Sequence, residues 1–377
     1  MAEYFDKTHD MLRESVRKFV EREILPNVDE WEEAGEFPRG LYKKAADAGF
    51  LGLGMPEEYG GTPGDVFHGV AFTEEMSRCA SMGLVAGLGS HGIALPPIVF
   101  LGTDEQKRRF ITPVLAGEKI AALAITEPGA GSDVANLRTR AVREGDHYVV
   151  NGAKTFITSG SRADFLTTAV RTGGPGHEGI SLLVIESNSP GFKVSRKLEK
   201  MGWCASDTAE LSFEDCRVPA ENLLGSEGAG FVGIMQNFQT ERLFLAVMAH
   251  AFAQAAFDRA YKYAHEREAF GRTLAGFQVM RHKLVDMAMQ VDIARQYNYH
   301  VASLIQSGTY AVKQVSFAKI FSAEAAERVC REAIQVLGGY GYAREYVVER
   351  IYRDVRLLAI GGGTTEIMKE VAWKMMA

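Results

Sequence analysis

The chain has 377 residues, 46% hydrophobic and 24% charged, and its 42 basic against 48 acidic side chains give a net charge of −6. This excludes a disordered tail, a collagen-like fibre and a disulfide-stapled miniature fold, and the length exceeds the roughly 250–300 residues at which a single core stops growing. With no basic surplus, neither nucleic acid nor an anionic membrane is an expected partner, so an anionic ligand has to be held by local arginines, backbone N–H groups and helix ends.

The first residues, from Met1 to Asp6, lack a basic and then apolar leader, so no export signal is expected. From Asp6 to about Ala116 the pattern is helical, with Met11, Leu12, Val16, Phe19, Val20 and Ile24 at three- and four-residue spacing until Pro26. Its longest apolar stretch, Ile93 to Leu101, contains Pro96 and Pro97 and is too short and too broken to span a bilayer, so no membrane insertion is expected. From about Ile120 to Leu224 the period changes. Short β-branched and aromatic runs at 148–150, 156–158, 165–170, 180–185 and 209–213, bounded by Gly, Asn, Asp or Pro, predict a small antiparallel barrel or sandwich. From Gly230 onward the sequence is helical again, with Ala-rich stretches at 246–260 and 317–336. The expected fold is therefore mainly α with a β domain: an N-terminal helical domain over 1–119, a central β-barrel or sandwich over 120–228, and a C-terminal four-helix bundle over 229–377. Ligand sites favour the crevices between such domains. Cys79, Cys204, Cys216 and Cys330 form no C-x-x-C pair, which fits reduced thiols in a cytoplasm, and no His, Cys and carboxylate cluster suggests a metal.

Four segments carry residues suited to chemistry. In the first, Ala124 to Asp133, Gly129 and Gly131 let backbone N–H groups approach a phosphate or a flat ring, and Thr126 and Ser132 add hydroxyls. A tight helix-to-strand connection has the same composition. In the second, Thr155 to Gly160, alternation puts Phe156 and Thr158 on one strand face, able to pack and hydrogen-bond a planar cofactor or simply to form a half-buried edge. The third runs Gln335-Val336-Leu337-Gly338-Gly339-Tyr340-Gly341-Tyr342, followed by Glu345, Arg350 and Asp354, where Gly338 and Gly339 predict a helix end. The fourth is Gly361-Gly362-Gly363-Thr364-Thr365-Glu366, in which Thr364 or Thr365 caps a last helix whose N-terminus favours negative charge.

Together these segments resemble the acyl-CoA dehydrogenase family over essentially the whole chain. Ala124 to Asp133 matches the family's first signature, departing only afterwards at Asn136. The second signature is matched by Gln335, Gly338, Gly339, Gly341, Tyr342, Glu345, Arg350 and Asp354. The resemblance implies the fold of that family and FAD as cofactor. Thr126, Gly131, Ser132, Phe156 and Thr158 would meet the flavin from the β domain, with Phe156 where many members have Trp. Thr364 and Glu366 would flank it at the last helix, Glu366 standing where some members carry Gln. Arg267, Phe270, Gln278, Gln335 and Gly339 would contact the adenosine end from a neighbouring subunit, which requires a homo-oligomer and suggests a dimer of dimers, a homotetramer. The implied reaction is α,β-dehydrogenation of an acyl-CoA substrate, with electron-transfer flavoprotein as electron acceptor, in fatty-acid β-oxidation or branched-chain catabolism. A flavin monooxygenase or oxidase on the same fold, or a non-catalytic acyl-CoA-binding homologue, stands as the alternative.

Many members carry the catalytic base as a Glu directly before the Gly-Thr pair of the last loop. That position is Gly362 here. Long-chain and isovaleryl-CoA dehydrogenases instead carry a Glu followed by Arg on a helix of the C-terminal domain, and Glu241-Arg242 stands at the matching point. Independently, Glu241 falls on the apolar stripe of Phe238, Leu245, Phe252 and Ala256, so its carboxylate faces inward, as catalytic base or as a salt-bridged core residue. Ser132, Glu241, Arg242, Gly361 and Gly362 are the expected substrate contacts, the Gly362 N–H meeting the thioester carbonyl. Desolvation beside an acyl chain is expected to raise the Glu241 pKa. Trp203 and His91 are expected to serve packing rather than catalysis.

Overall fold

The computed structural model describes residues 4–376, with the side chains of all of these except 236 and 237; residues 1–3 and 377 of the expected outer domains lie outside the described residues. The first third is helical, with α1 (Lys7–Phe19), α2 (Val28–Ala34), α3 (Gly40–Asp47), α4 (Val66–Met76), α5 (Met82–Leu88), α6 (His91–Ala94), α7 (Pro96–Leu101) and α8 (Asp104–Leu115). The opening helix starts where a side chain can replace the missing carbonyls: Asp6 accepts from the N–H groups of Thr8 and His9, while the His9 ring accepts from the Asp6 N–H. Asp65 and His68 repeat that reciprocal cap at the start of α4. The stripe of Val16, Val20 and Ile24 is buried, and one π-helical turn, Val20–Ile24, carries the chain on to Pro26.

The middle of the chain forms β1 (Ala121–Ala124), β2 (Arg140–Glu144), β3 (His147–Thr158), β4 (Phe165–Arg171), β5 (Ile180–Glu186), β6 (Phe192–Lys197), β7 (Thr208–Pro219) and β8 (Leu223–Leu224). They join in one sheet of order β6-β7-β3-β2-β4-β5-β8, with β1 also paired to β4. The sheet is mixed, which corrects the antiparallel expectation: β1 and β2 both run parallel to β4, at opposite ends of it, because the chain returns from the β2–β3 hairpin to lie beside β1 in the same direction. Every residue from Phe165 to Val170 and from Ile180 to Ile185 is buried, since one face of β4–β5 packs on α7 and α8 side chains and the other on the β3–β7 pair. Such strands lose the alternation of a half-exposed strand, and even Thr167, Thr168 and Ser181 are enclosed.

The last third contains α9 (Gly230–Glu266), a small hairpin of β9 (Glu268–Ala269) and β10 (Arg272–Thr273), α10 (Gln278–Gln306), α11 (Val312–Leu337), α12 (Gly339–Tyr342), α13 (Val348–Val355) and α14 (Thr365–Lys374). α11 lies at the centre and packs on α9, α10, α13 and α14. It stops at Gly338, whose φ of +60° suits a residue without a Cβ. The two helical regions share one core, in which Phe19, Phe37 and Met82 join Phe252, Val329 and Ile351. All three regions meet at the buried carboxylate of Asp354 on α13, which accepts hydrogen bonds from the N–H groups of Met82 on α5 (3.0 Å) and of Trp203 in the β6–β7 loop (2.6 Å). Among the described residues no single helix is long and apolar enough to cross a membrane.

Candidate active site

The long helix α9 carries Glu241 and Arg242 side by side, and the loop before α14 comes to meet them. Arg242 Nε donates to the Gly362 carbonyl at 3.0 Å, and its guanidinium lies 5.1 Å from the centre of the Phe238 ring. Gly362 has φ +64°, and a Cβ built on it would lie 3.7 Å from Glu241 Oε1 but only 2.5 Å from Leu245 Cδ1. So Glu241 reaches the space that a side chain at position 362 would otherwise enter. Glu241 as a whole is half-buried, yet its Oε2 is enclosed and makes no hydrogen bond to any described group. Burial pushes its pKa up to about 7, against the opposing pull of Arg242 and Lys319. A carboxylate so placed is half-protonated near neutrality and free of a fixed partner, as a general base requires. The Gly362 N–H has no partner among the described residues either. Thr364 caps α14, its hydroxyl accepting from the Ile367 N–H, and Glu366 is exposed one residue beyond Thr365.

A second group lies on the β domain. Glu127 and Ala130 exchange backbone hydrogen bonds, closing a tight turn over Pro128 and Gly129. The turn is anchored by Glu127, whose carboxylate accepts from the N–H groups of Arg138 (2.6 Å) and Thr139 (2.9 Å) and pairs with the fully buried ammonium of Lys154 (2.9 Å). Lys154 also donates to the Ile125 carbonyl, and the Thr155 N–H donates to that of Thr126, so the first two segments are fastened together. Past Lys154 a bulge interrupts the β3–β7 register and Phe156 takes φ +59°. Phe156 is 68% exposed and Thr158, two residues on, is half-buried, while Ile157 between them turns into the core. The hydroxyls of Thr126, Ser132 and Thr158 make no hydrogen bond to other described residues, and a Cβ on Gly129 or Gly131 would meet nothing within 4 Å. An exposed aromatic ring on the same domain as three hydroxyls with no hydrogen-bond partner among the described residues suits a planar polar group such as a flavin.

The third group, Arg267, Phe270, Gln278, Gln335 and Gly339, is exposed on the C-terminal region. Phe270 tips the β9–β10 hairpin at 97% exposure, and Arg267 reaches the Tyr340 ring, 6.0 Å from its centre. None of the five contacts Glu241 within this chain; they face outward, as residues serving another subunit would. Trp203 is buried against Asp354, and His91 is buried with Nδ1 on the Leu88 carbonyl, so both serve packing. Sequence inspection missed Lys319, Lys154 and Glu127. A lysine on the buried stripe Val315, Ala318, Ser322 and Ala326 was the available signal for Lys319.

Comparison with known proteins identifies the family. The acyl-CoA dehydrogenase N-terminal, middle and C-terminal domains match residues 6–118, 122–216 and 228–376. The chain belongs to the acyl-CoA dehydrogenase family. It is 40% identical to the mitochondrial long-chain specific acyl-CoA dehydrogenase of Sus scrofa over 97% of this chain and 86% of that protein. It is 37% identical to the caffeyl-CoA reductase-Etf complex subunit CarC of Acetobacterium woodii over 99% of each. Among solved structures, a probable acyl-CoA dehydrogenase from Mycobacterium abscessus superposes with a TM-score of 0.98 at 56% identity, covering 99% of this chain and 100% of that one. As an acyl-CoA dehydrogenase, the protein is an oxidoreductase acting on acyl-CoA, in a family of flavoproteins.

Proposed function

We propose that this acyl-CoA dehydrogenase removes the α proton of a long-chain or branched acyl-CoA with Glu241 and yields the trans-2-enoyl thioester. The observation that carries the proposal is the approach of Glu241 to the side-chain space of Gly362, with one carboxylate oxygen buried and unpartnered. Glu241 accepts the α proton while the β hydrogen leaves with its electron pair. The Gly362 N–H is free to donate to the thioester oxygen as enolate charge builds there, a contact that strengthens toward the transition state. Arg242 holds the Gly362 carbonyl and so ties down the loop that carries that N–H.

FAD, when bound, supplies the two-electron acceptor for the β hydrogen. Thr126, Gly131, Ser132, Phe156 and Thr158 are the residues to hold it on the β domain, with Thr364 and Glu366 at α14. Arg267, Phe270, Gln278, Gln335 and Gly339 would complete its site in a neighbouring copy of the chain, making the working enzyme a homo-oligomer, a dimer of dimers. Electron-transfer flavoprotein is the proposed acceptor of the electrons in turn.

On the β domain an open cavity of about 460 Å³ is lined by Arg138, Arg140, Arg171, Gly173 and Gly174, with no carboxylate in its wall. Arg138 and Arg140 form no ion pair with any described residue. That local positive charge, in a chain of net charge −6, suits the phosphates of CoA. Anaerobic titration of the flavin-loaded protein with straight and branched acyl-CoAs tests the function. Bleaching of the flavin absorbance by an acyl-CoA, reversed by electron-transfer flavoprotein, supports it. Oxygen consumption stoichiometric with substrate would indicate an oxidase instead, and failure to take up flavin would indicate a non-catalytic homologue.

A further inference from the structure

We infer that Lys319 on α11 is a positioning residue, which ties down the loop facing Glu241 and supplies a cation against which the Glu241 carboxylate ionises. The inference rests on Glu241 being the base. Lys319 is 2% exposed and forms no ion pair with any described carboxylate, and its ammonium donates to the Gly363 carbonyl. Its Cε lies 3.9 Å from the point where a Cβ on Gly362 would stand, and Glu241 Oε1 lies 3.7 Å from that same point. Lysine and glutamate therefore flank one glycine without being hydrogen-bonded to each other. Arg242 from α9 is the other charge acting on Glu241, and the loop itself contributes carbonyls. Beside Gly363, α14 contributes the apolar Met368 and Ile367.

Two cations thus hold two successive carbonyls of the loop, opposite one carboxylate. A neutral amide would satisfy the Gly363 carbonyl at far less desolvation cost than a buried ammonium, so the hydrogen bond alone does not account for a lysine here. What needs the charge is the buried carboxylate, which must be ionised before it can take a proton. Burial lowers the Lys319 pKa to about 8, with Arg242 adding to that effect and Glu241 opposing it, which leaves the amine mostly protonated at neutral pH. Once Glu241 has accepted the proton, the positive charge persists beside the loop whose Gly362 N–H faces the developing enolate oxygen.

The test is the pH dependence of kcat/KM in Lys319→Gln and Lys319→Arg. Removing the cation favours the neutral carboxyl, so the acid limb in Lys319→Gln is expected to move up by about one pH unit, with most of the activity regained at high pH. Lys319→Arg, which keeps the charge, is expected to keep the wild-type limb. A Gln variant that loses rate equally at all pH values, or an Arg variant that shifts as far as Gln, would overturn the inference. Should Lys319→Gln fail to fold, the pair is probed from the other side, by following the ¹³Cε resonance of isotope-labelled lysine in Glu241→Gln. Loss of the anion is expected to lower the pH at which Lys319 titrates, and an unchanged titration overturns the inference. Substantial turnover in Glu241→Gln would instead sink the base assignment itself, so the two failures are distinguishable.

Discussion

At the scale of single residues, the site turns on an exchange between two backbone positions. Glycine at 362 leaves its side-chain space empty, and Glu241 reaches toward that space from a helix. Replacing Glu241 with Gln is expected to lower kcat on the order of a thousandfold while flavin content stays at the wild-type level. With the proposed base raised by burial to about 7 and required as its anion, kcat/KM of the wild type should fall as pH drops below about 7, tenfold per unit. Restoring a carboxylate from the loop is harder than the sequence suggests. A Cβ at position 362 collides with Leu245 and meets a positive φ, so Gly362→Glu in the Glu241→Gln background should remain inactive, whereas adding Leu245→Ala should recover part of the rate. Steady-state kinetics of the two combinations decides. The position of Glu241 was legible because a missing side chain at 362 and an acid on an apolar stripe pointed to each other. Lys319 was less legible: its place on a stripe of small and apolar residues hinted at burial, but which loop it meets depends on the packing of α11 on α9 and α14.

At the scale of elements, buried ion pairs fasten one segment to another. Glu74 on α4 accepts from Tyr299 on α10 and contacts His250 on α9 and Arg13 on α1. Burial by itself would raise its pKa, but the hydrogen bond and charge of His250, with Arg13 and Tyr299, outweigh it and hold Glu74 down at about 2. A depressed carboxylate stabilises the fold above its unfolded pKa and loses that contribution as pH falls from about 4.5 toward 2, here about 3 kcal/mol. Glu74→Gln should therefore be less stable than wild type at neutral pH, with the gap closing in acid, as followed by denaturant midpoints across that window. Under the Thr126–Ser132 turn, burial likewise opposes ionisation of Glu127, but Lys154 and the N–H groups of Thr139 and Arg138 outweigh it and hold the carboxyl below its usual range, whereas burial lowers the Lys154 ammonium to about 8. The runs that became β4 and β5 were visible as short stretches rich in apolar and β-branched residues. β1, β2 and β6 escaped notice: β1 is alanine-rich, while β2 and β6 carry mostly exposed charged and polar residues whose strand character comes from pairing to their neighbours. The bulge that exposes Phe156 depends on register against β7, which no local pattern reports.

At the scale of the whole molecule, the proposed cofactor site is divided between copies. Phe270, almost fully exposed on its hairpin, and Arg267 are the residues to test. Phe270→Asp is expected to shift the sedimenting species toward smaller assemblies and to weaken flavin retention on dilution; unchanged mass and flavin content would count against a shared site. The arginine-lined cavity makes a separate claim on the substrate. Arg138→Ala with Arg140→Ala should raise KM for an acyl-CoA on the order of tenfold and leave KM for the matching acyl-pantetheine unchanged, since only the longer thioester carries the nucleotide phosphates. The buried carboxylate of Asp354, reached by a helix amide from the first third of the chain and a loop amide from the middle, has a consequence for how the protein comes apart. No cut between the three regions spares it. A fragment holding only the sheet would lose the acceptor for its Trp203 amide, and one holding only the last helices would bury an acid with no donors. Loss of structure is thus expected to spread from any one region to the others in a single transition, and a protease that nicks the linker near residue 228 should yield no stable piece.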